Sequence, residues 1–293
     1  AAPRSGLRRP GDRLDEPFPI PLCAMGQARK KAGRAKRKSG CEGGPAMHYV
    51  LSDIHGNTRR FDSVMAQIDL RPEDTLYVLG DVIDRYPDGG RILRRLMGMP
   101  NVRMLLGNHE YMMLDALYDG WAEKPAPFSH WTQEQRLYLW YENGGEMTHR
   151  YLKHLRRSLR QEIFAYLDSL PENIPVTVGG RRYLLVHGGQ AALFAQGAKD
   201  AAEYRDEREF SVWMRYEWWD AGPEDRTVIF GHTPTRYYQR RTPMPIWKGE
   251  RLIGIDCGAG WPQGRLACLR LEDMAEFYST DGWTARYLRP HKR

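Results

Sequence analysis

Three short polar clusters at nearly equal intervals constrain this chain more than any other feature. They are Ser52-Asp53-Ile54-His55-Gly56, Gly80-Asp81-Val82-Ile83-Asp84-Arg85 and Gly107-Asn108-His109-Glu110. Each follows a run with strand character: Tyr49-Val50-Leu51, Leu76-Tyr77-Val78-Leu79, and Val102 to Leu106. Asp53 and Asp81 are 28 residues apart and Asp81 and Asn108 are 27 apart, close to one βα repeat. Between the strands, helical spacing shows in Phe61, Val64, Met65 and Ile68 of Thr58–Ile68, and in Ile92, Leu93 and Leu96 of Arg91–Met97. Strands alternating with helices predict a largely parallel sheet. All three clusters then fall at the carboxyl ends of its strands, where open α/β sheets place their ligands.

Two later strands end in histidines. Tyr183–Val186 leads into His187-Gly188-Gly189, and Thr227–Phe230 into Gly231-His232-Thr233-Pro234. Further strands at Leu252–Ile255 and Leu266–Leu271 lack long helices between them, which predicts a second sheet with mixed or antiparallel pairing. Residues 111–172 are rich in Trp, Tyr and Arg and read as a helical insertion. Its Trp121, Trp131, Trp140 and Tyr141 are expected mostly to pack on the core, the other reading being a cap that selects substrates.

Five strand ends thus deliver Asp53, His55, Asp81, Asn108, His187 and His232 to one edge. Imidazole combined with carboxylate and amide oxygen, and no thiolate, is a donor set for Mn, Fe or Zn. Asp81, with two oxygens, can bridge two ions. Taken singly, Asp53 or Asn108 reads as a helix cap and His187 as a hydrogen-bonded core histidine. The case rests on five clusters in order. His48, His130, His149, His154 and His291 belong to no cluster and are expected to be structural.

Charge separates the chain into two parts. Residues 1–46 carry 11 Lys/Arg against 4 Asp/Glu, and the remainder has 33 of each sign. The formal net charge of +7 therefore resides in the first 46 residues, and it says nothing about nucleic-acid binding by the rest. Residues 1–46 are expected to form a disordered basic extension, with the catalytic domain running from Met47 to residue 293. The four cysteines include no CxxC pair, and no apolar run approaches the roughly 18 residues of a membrane span. Without a signal-peptide pattern, the cytoplasm is the expected location.

The clusters together resemble the phosphoprotein phosphatase family of calcineurin-like metallophosphoesterases. Members read Gly-Asp-x-His-Gly, Gly-Asp-x-x-Asp-Arg-Gly, Gly-Asn-His-Glu and then two separate histidines. The likeness runs from Met47 to about Leu271 and is nearest to small bacterial serine/threonine phosphatases, through Met47–Gly56 and through Ile255-Asp256-Cys257-Gly258-Ala259-Gly260. It implies an α/β (mixed α+β) four-layer sandwich of two mixed sheets flanked by helices. It implies two divalent ions, manganese first with iron or zinc as alternatives. One would lie on Asp53, His55 and Asp81, the other on Asp81, Asn108, His187 and His232.

A water activated between two such ions attacks phosphorus in line, with no covalent enzyme intermediate. His109 is the implied general acid and Asp84 the carboxylate that favours its charged form. Arg85 and Arg215 would grip phosphate oxygens, since guanidinium can bind two at once. Arg215 is taken from the Trp213-x-Arg215 spacing, with Arg205, Arg208 and Arg226 as competitors. Glu110 is expected to support the site or start a helix.

The implied function is a metal-dependent phosphomonoesterase, a serine/threonine protein phosphatase acting on a phosphorylated protein or small phosphoester. Gly-His-Thr-Pro also occurs in relatives that split dinucleoside polyphosphates. A dinucleoside polyphosphate or RNA-cap pyrophosphohydrolase is therefore the alternative, although those relatives usually lack an acidic residue at the place of Asp84. A non-catalytic protein holding nucleic acid weakly through its basic tail is a third reading, opposed by the complete ligand set. The sequence departs from the family pattern at Ser52 and Tyr86, where glycine is usual. Tyr86 is expected either to be strained at a φ above zero or to line the substrate entrance.

Overall fold

Alternation along the strands decides how the layers stack. In the computed structural model, which describes residues 44–117, 131–190 and 207–280, the strands β1 (His48–Leu51), β2 (Thr75–Val78) and β3 (Val102–Met104) pair in parallel. Tyr49 and Leu51 point to one apolar cluster and Val50 to another; Leu76 and Val78 likewise separate from Tyr77 and Leu79. A strand that is apolar on both faces must be covered on both. Helices α1 (Thr58–Ile68) and α2 (Gly89–Met97) cover one face, with Phe61, Val64, Ile92, Leu93 and Leu96 in its cluster. The second sheet covers the other.

That second sheet has the order β4-β5-β6-β8-β7 and the first has β10-β9-β1-β2-β3. In the second, β5 (Arg181–Val186), β6 (Thr227–Phe230) and β8 (Leu252–Gly254) are parallel, while β4 (Asn173–Val178) and β7 (Trp247–Lys248) run antiparallel at its edges. In the first, β9 (Ala267–Arg270) and β10 (Glu276–Tyr278) are antiparallel. Leu185, Ile229 and Ile253 meet Val50, Leu79 and Leu269 in one cluster between the sheets. The expected pair of mixed sheets flanked by helices is therefore the architecture found.

Some boundaries differ from the sequence reading. α2 starts at Gly89 rather than Arg91. The third cluster is itself the first turn of a helix, α3 (Asn108–Leu117), so the helical region begins before residue 111. It continues as α4 (Gln133–Glu142), α5 (Glu146–Lys153) and α6 (Arg157–Asp168). α7 spans Glu207–Trp213. Strand β4 was not legible because its edge position leaves Asn173, Pro175 and Thr177 partly or fully exposed. The extension up to residue 43, Trp121, His130, Arg205 and His291 lie outside the described residues.

Candidate metal centre

Parallel pairing does not stop where the strands end. Asp53 N–H donates to Gly80 O at 3.2 Å, His55 N–H to Asp81 O at 2.9 Å and Gly56 N–H to Val82 O at 2.8 Å. The first two clusters are thus zipped together by backbone. The glutamate of the third braces the second: Glu110 accepts from the N–H groups of Asp81 at 2.9 Å, Val82 at 2.8 Å and Gly107 at 3.1 Å. Its carboxyl is pushed up to about 7 by burial and then by the nearby Asp81 charge. Among the described non-glycine residues with φ above zero are Asp53, His55, Asp81, Asp84, Arg85 and His232, at 48° to 71°. Strained backbone of this kind persists only where surrounding contacts impose it, and it gathers at functional sites. Tyr86 does not share it: the turn places positive φ at Asp84 and Arg85 instead, so Tyr86 escapes the expected strain.

The histidine tautomers show what the site is built to bind. A carbonyl oxygen can only accept, so the ring nitrogen facing it carries the proton. His187 Nδ1–H donates to Leu79 O at 2.5 Å, and His55 Nδ1–H to Ile83 O at 3.2 Å. His232 Nε2–H donates to Trp213 O at 3.2 Å. The opposite nitrogens are then lone pairs. His187 Nε2 lies 3.1 Å and His232 Nδ1 2.9 Å from Asn108 Oδ1, and His187 Nε2 lies 3.5 Å from Asp81 Oδ1. His55 Nε2 lies 3.7 Å from Asp81 Oδ2 and 4.0 Å from Asp53 Oδ1. Acceptors converge on acceptors, an arrangement that makes sense around cations. Burial holds His55 and His232 well below the ordinary histidine range, helped by the positive charge of Arg85 at His55 and of Arg215 at His232. Burial also lowers His187, so all three favour the neutral form that binds metal.

The six residues expected as ligands all gather here, each no more than 5% exposed. His55, Asp81 and His109 form one group able to hold an ion, and Asp81, His187 and His232 another, with Asp81 common to both. Asp53 enters from the side, accepting from His232 N–H at 3.0 Å. Burial, with Asp256 and Asp81 nearby, raises the Asp53 carboxyl well above the usual range. That is the electrostatic state of a carboxylate crowded by other carboxylates, which a divalent cation relieves. Asp256, a carboxylate the sequence reading did not place in the site, is pushed up to about 6 by burial in the same neighbourhood.

His109 has a second tether. Its Nδ1 lies 2.8 Å from Asp84 Oδ2. Burial would lower its pKa, but the charges of Asp81 and Asp84 outweigh burial and raise it. Asp84 is held by three groups: His109, the indole N–H of Trp140 at 2.8 Å on the same oxygen, and the Thr148 hydroxyl at 2.6 Å on the other. Trp140 is fully buried, as expected, yet it also serves the site. Its place is possible because Gly145 lies flat on the indole, where a Cβ would collide with the ring. The insertion therefore reaches the functional centre through α4 and α5. No spacing rule links position 140 to position 84, so this contact was beyond sequence reading.

The arginines sort themselves by partner. Arg85 Nη2 lies 3.4 Å from His109 Nε2. Arg215 Nη1 donates to the carbonyl of His232 at 3.4 Å, which places it at the site's edge. Its competitors turn elsewhere: Arg208 pairs with Asp168 at 3.1 Å and Arg226 with Asp225 at 2.7 Å. His48 pairs with Glu272, and His149 with the hydroxyl of Tyr141, away from the ligand cluster.

The model of the calcineurin-like phosphoesterase family matches residues 49–269. The chain belongs to that family. Members are metallophosphoesterases, and the acceptor set above fits a dinuclear centre of that kind. Among curated relatives, a symmetrical bis(5'-nucleosyl)-tetraphosphatase of Acidovorax sp. (strain JS42) is 43% identical over 72 residues, 24% of this chain. That match spans only 26% of the relative's length. A protein of the same name from Erwinia tasmaniensis is 25% identical over 279 residues, covering 78% of this chain and 95% of the relative. A crystal structure provisionally described as a diadenosine tetraphosphatase is 16% identical with a TM-score of 0.49, covering 80% of this chain and 92% of its own. The curated names therefore differ from the serine/threonine phosphatase branch expected from the motifs.

Proposed function

We propose that the chain hydrolyses the phosphate bridge of dinucleoside polyphosphates, using two divalent ions held by Asp53, His55, Asp81, Asn108, His187 and His232. The observation that carries this reading is the likeness to the Erwinia protein, which runs over 95% of that relative. Two divalent ions supply Lewis-acid polarisation of the phosphoryl group and a lowered pKa for attacking water. The chain's own residues do the rest. Arg85, beside His109, and Arg215, beside His232, fix the phosphate oxygens as charge develops on them. A water oxygen bonds to phosphorus and the bond to the bridging oxygen breaks. The departing nucleotide keeps the electron pair, and the water's proton passes to solvent. Cleavage at the middle of a four-phosphate bridge yields two nucleoside diphosphates.

The buried pair of His109 and Asp84 favours a second reading, hydrolysis of a phosphoserine or phosphothreonine monoester. An alkoxide leaves well only when protonated, and a histidine held in its charged form by a carboxylate is suited to that task. A nucleotide leaves as a weaker base and needs that proton less. One comparison separates the two. The manganese-loaded enzyme is expected to turn over diadenosine tetraphosphate with a higher kcat/KM than a phosphopeptide, and EDTA is expected to abolish both activities. A strong preference for the phosphopeptide would overturn the first reading, and full turnover by metal-free protein would overturn both.

A further inference from the structure

The loop after β8 is anchored from beneath by a buried cation. Arg60, on α1, is 1% exposed. Its Nη1 donates to the carbonyls of Ala259 at 2.8 Å and Trp261 at 2.7 Å, and its Nη2 to that of Pro262 at 3.0 Å. A guanidinium taken out of water is costly unless its donors are filled, and these donors are directed to one short stretch of backbone. The same stretch lies on the metal centre. A Cβ at Gly260 would stand 2.6 Å from the His55 ring and 2.8 Å from Arg85 Cδ, so only glycine permits the approach.

This placement sets the indole of Trp261 beside Arg85, whose guanidinium carbon is 5.3 Å from the ring centroid. Arg236 lies closer on the same ring, at 4.3 Å, and its guanidinium carbon is also 5.3 Å from the ring of Tyr237. Arg236 is exposed, and Tyr237 is 45% exposed. Cation, ring, cation and ring thus follow one another from a residue at the centre to the surface. Arginine beside an aromatic face is a combination that binds phosphate and stacks on planar bases.

We propose that Arg236, Trp261 and Tyr237 form a subsite for the part of the substrate beyond the scissile phosphate, a phosphate chain ending in a nucleobase. Arg236 neutralises the distal phosphates, and the exposed ring of Tyr237 offers a stacking face for the base. Arg60 is a positioning residue that fixes the loop carrying Trp261. The proposal deepens the dinucleoside polyphosphate reading and rests on it for the nature of the substrate.

Two measurements on the manganese-loaded protein test it. The first is calorimetric binding of ADP as a probe of half the substrate. Arg236→Ala is expected to weaken ADP at least tenfold, Tyr237→Ala about threefold, and Arg236→Lys to fall between wild type and Arg236→Ala. The second is KM for diadenosine tetraphosphate, which is expected to rise in Arg236→Ala at least tenfold more than KM for p-nitrophenyl phosphate. Absence of ADP binding by the wild type, or ADP binding untouched by Arg236→Ala, overturns the subsite. Arg236-dependent ADP binding without tetraphosphate hydrolysis leaves the subsite standing and overturns the reaction. Tetraphosphate hydrolysis with Arg236-independent ADP binding does the reverse.

Discussion

At the scale of single residues, the centre assigns opposite electrostatic states to neighbouring histidines. His55 and His232 are driven toward neutrality by burial and nearby arginines, while His109, adjacent in sequence to Asn108, is raised by Asp81 and Asp84. The difference follows from partners: carbonyl oxygens face the ring N–H of His55, His187 and His232, whereas a carboxylate faces that of His109. Of the two carboxylates that raise His109, Asp81 belongs to the expected ligand set, and Asp84 is the one whose oxygen lies 2.8 Å from His109 Nδ1. A histidine raised in this way loses its proton at higher pH than usual, so activity that needs the acid form is lost at correspondingly higher pH. Asp84→Asn is therefore expected to move the alkaline limb of kcat to lower pH for phenyl phosphate, a poor leaving group. Its kcat on that ester is expected to fall about 10²–10⁴-fold, and much less on p-nitrophenyl phosphate, whose leaving group needs no proton. Equal losses on both esters, with an unmoved pH limb, would show that Asp84 serves only the fold.

At the scale of elements, the insertion contributes by bracing. α4 brings Trp140 and α5 brings Thr148 to the two oxygens of Asp84, and the turn between the helices lets Arg85 N–H donate to Gly144 O at 3.2 Å. Trp140→Phe keeps most of the apolar contact and removes one donor from a buried carboxylate. Such a loss costs about 1–3 kcal/mol, to be read from urea unfolding. A larger loss of kcat on phenyl phosphate than on p-nitrophenyl phosphate is expected alongside it. A stability loss with no dependence on the leaving group would reduce Trp140 to a packing residue. The difference between this contact and the metal cluster explains what could be read in advance. Asp53, Asp81 and Asn108 follow regular strands at repeating intervals, so periodicity alone brings them together. Trp140, Arg60 and Asp256 act through contacts set by how separate elements pack, and no local pattern records those. Likewise β6 was legible because Val228, Ile229 and Phe230 are apolar and buried in succession, whereas β4 was hidden by its exposed edge positions.

At the scale of the whole molecule, two sheets with a shared apolar interior converge on a centre whose charges oppose folding when no cation is present. The unfolded histidine pKa is about 6.5, and His55, His187 and His232 lie below it in the folded protein. As pH falls through that unfolded value, the unfolded chain takes up protons the folded one refuses, so stability is lost on the acid side. The carboxyls behave in the opposite sense. Asp53 is raised, Asp256 is pushed to about 6 and Glu110 to about 7, so their penalty grows as pH rises from the ordinary carboxylate range through those values. A divalent ion favours the neutral imidazole and the ionised carboxylate together, and its binding should release protons. Manganese at about 100 times its Kd is expected to stabilise the protein by about 2.7 kcal/mol, or roughly 5–10 °C in Tm for a chain of this size. At one fixed manganese concentration the gain should be larger at pH 8 than at pH 5.5, where protons compete for the histidines and raise the Kd. Calorimetric titration in two buffers of different ionisation enthalpy should register the released protons. A Tm shift equal at both pH values, with no proton release, would mean that the ion binds outside this cluster.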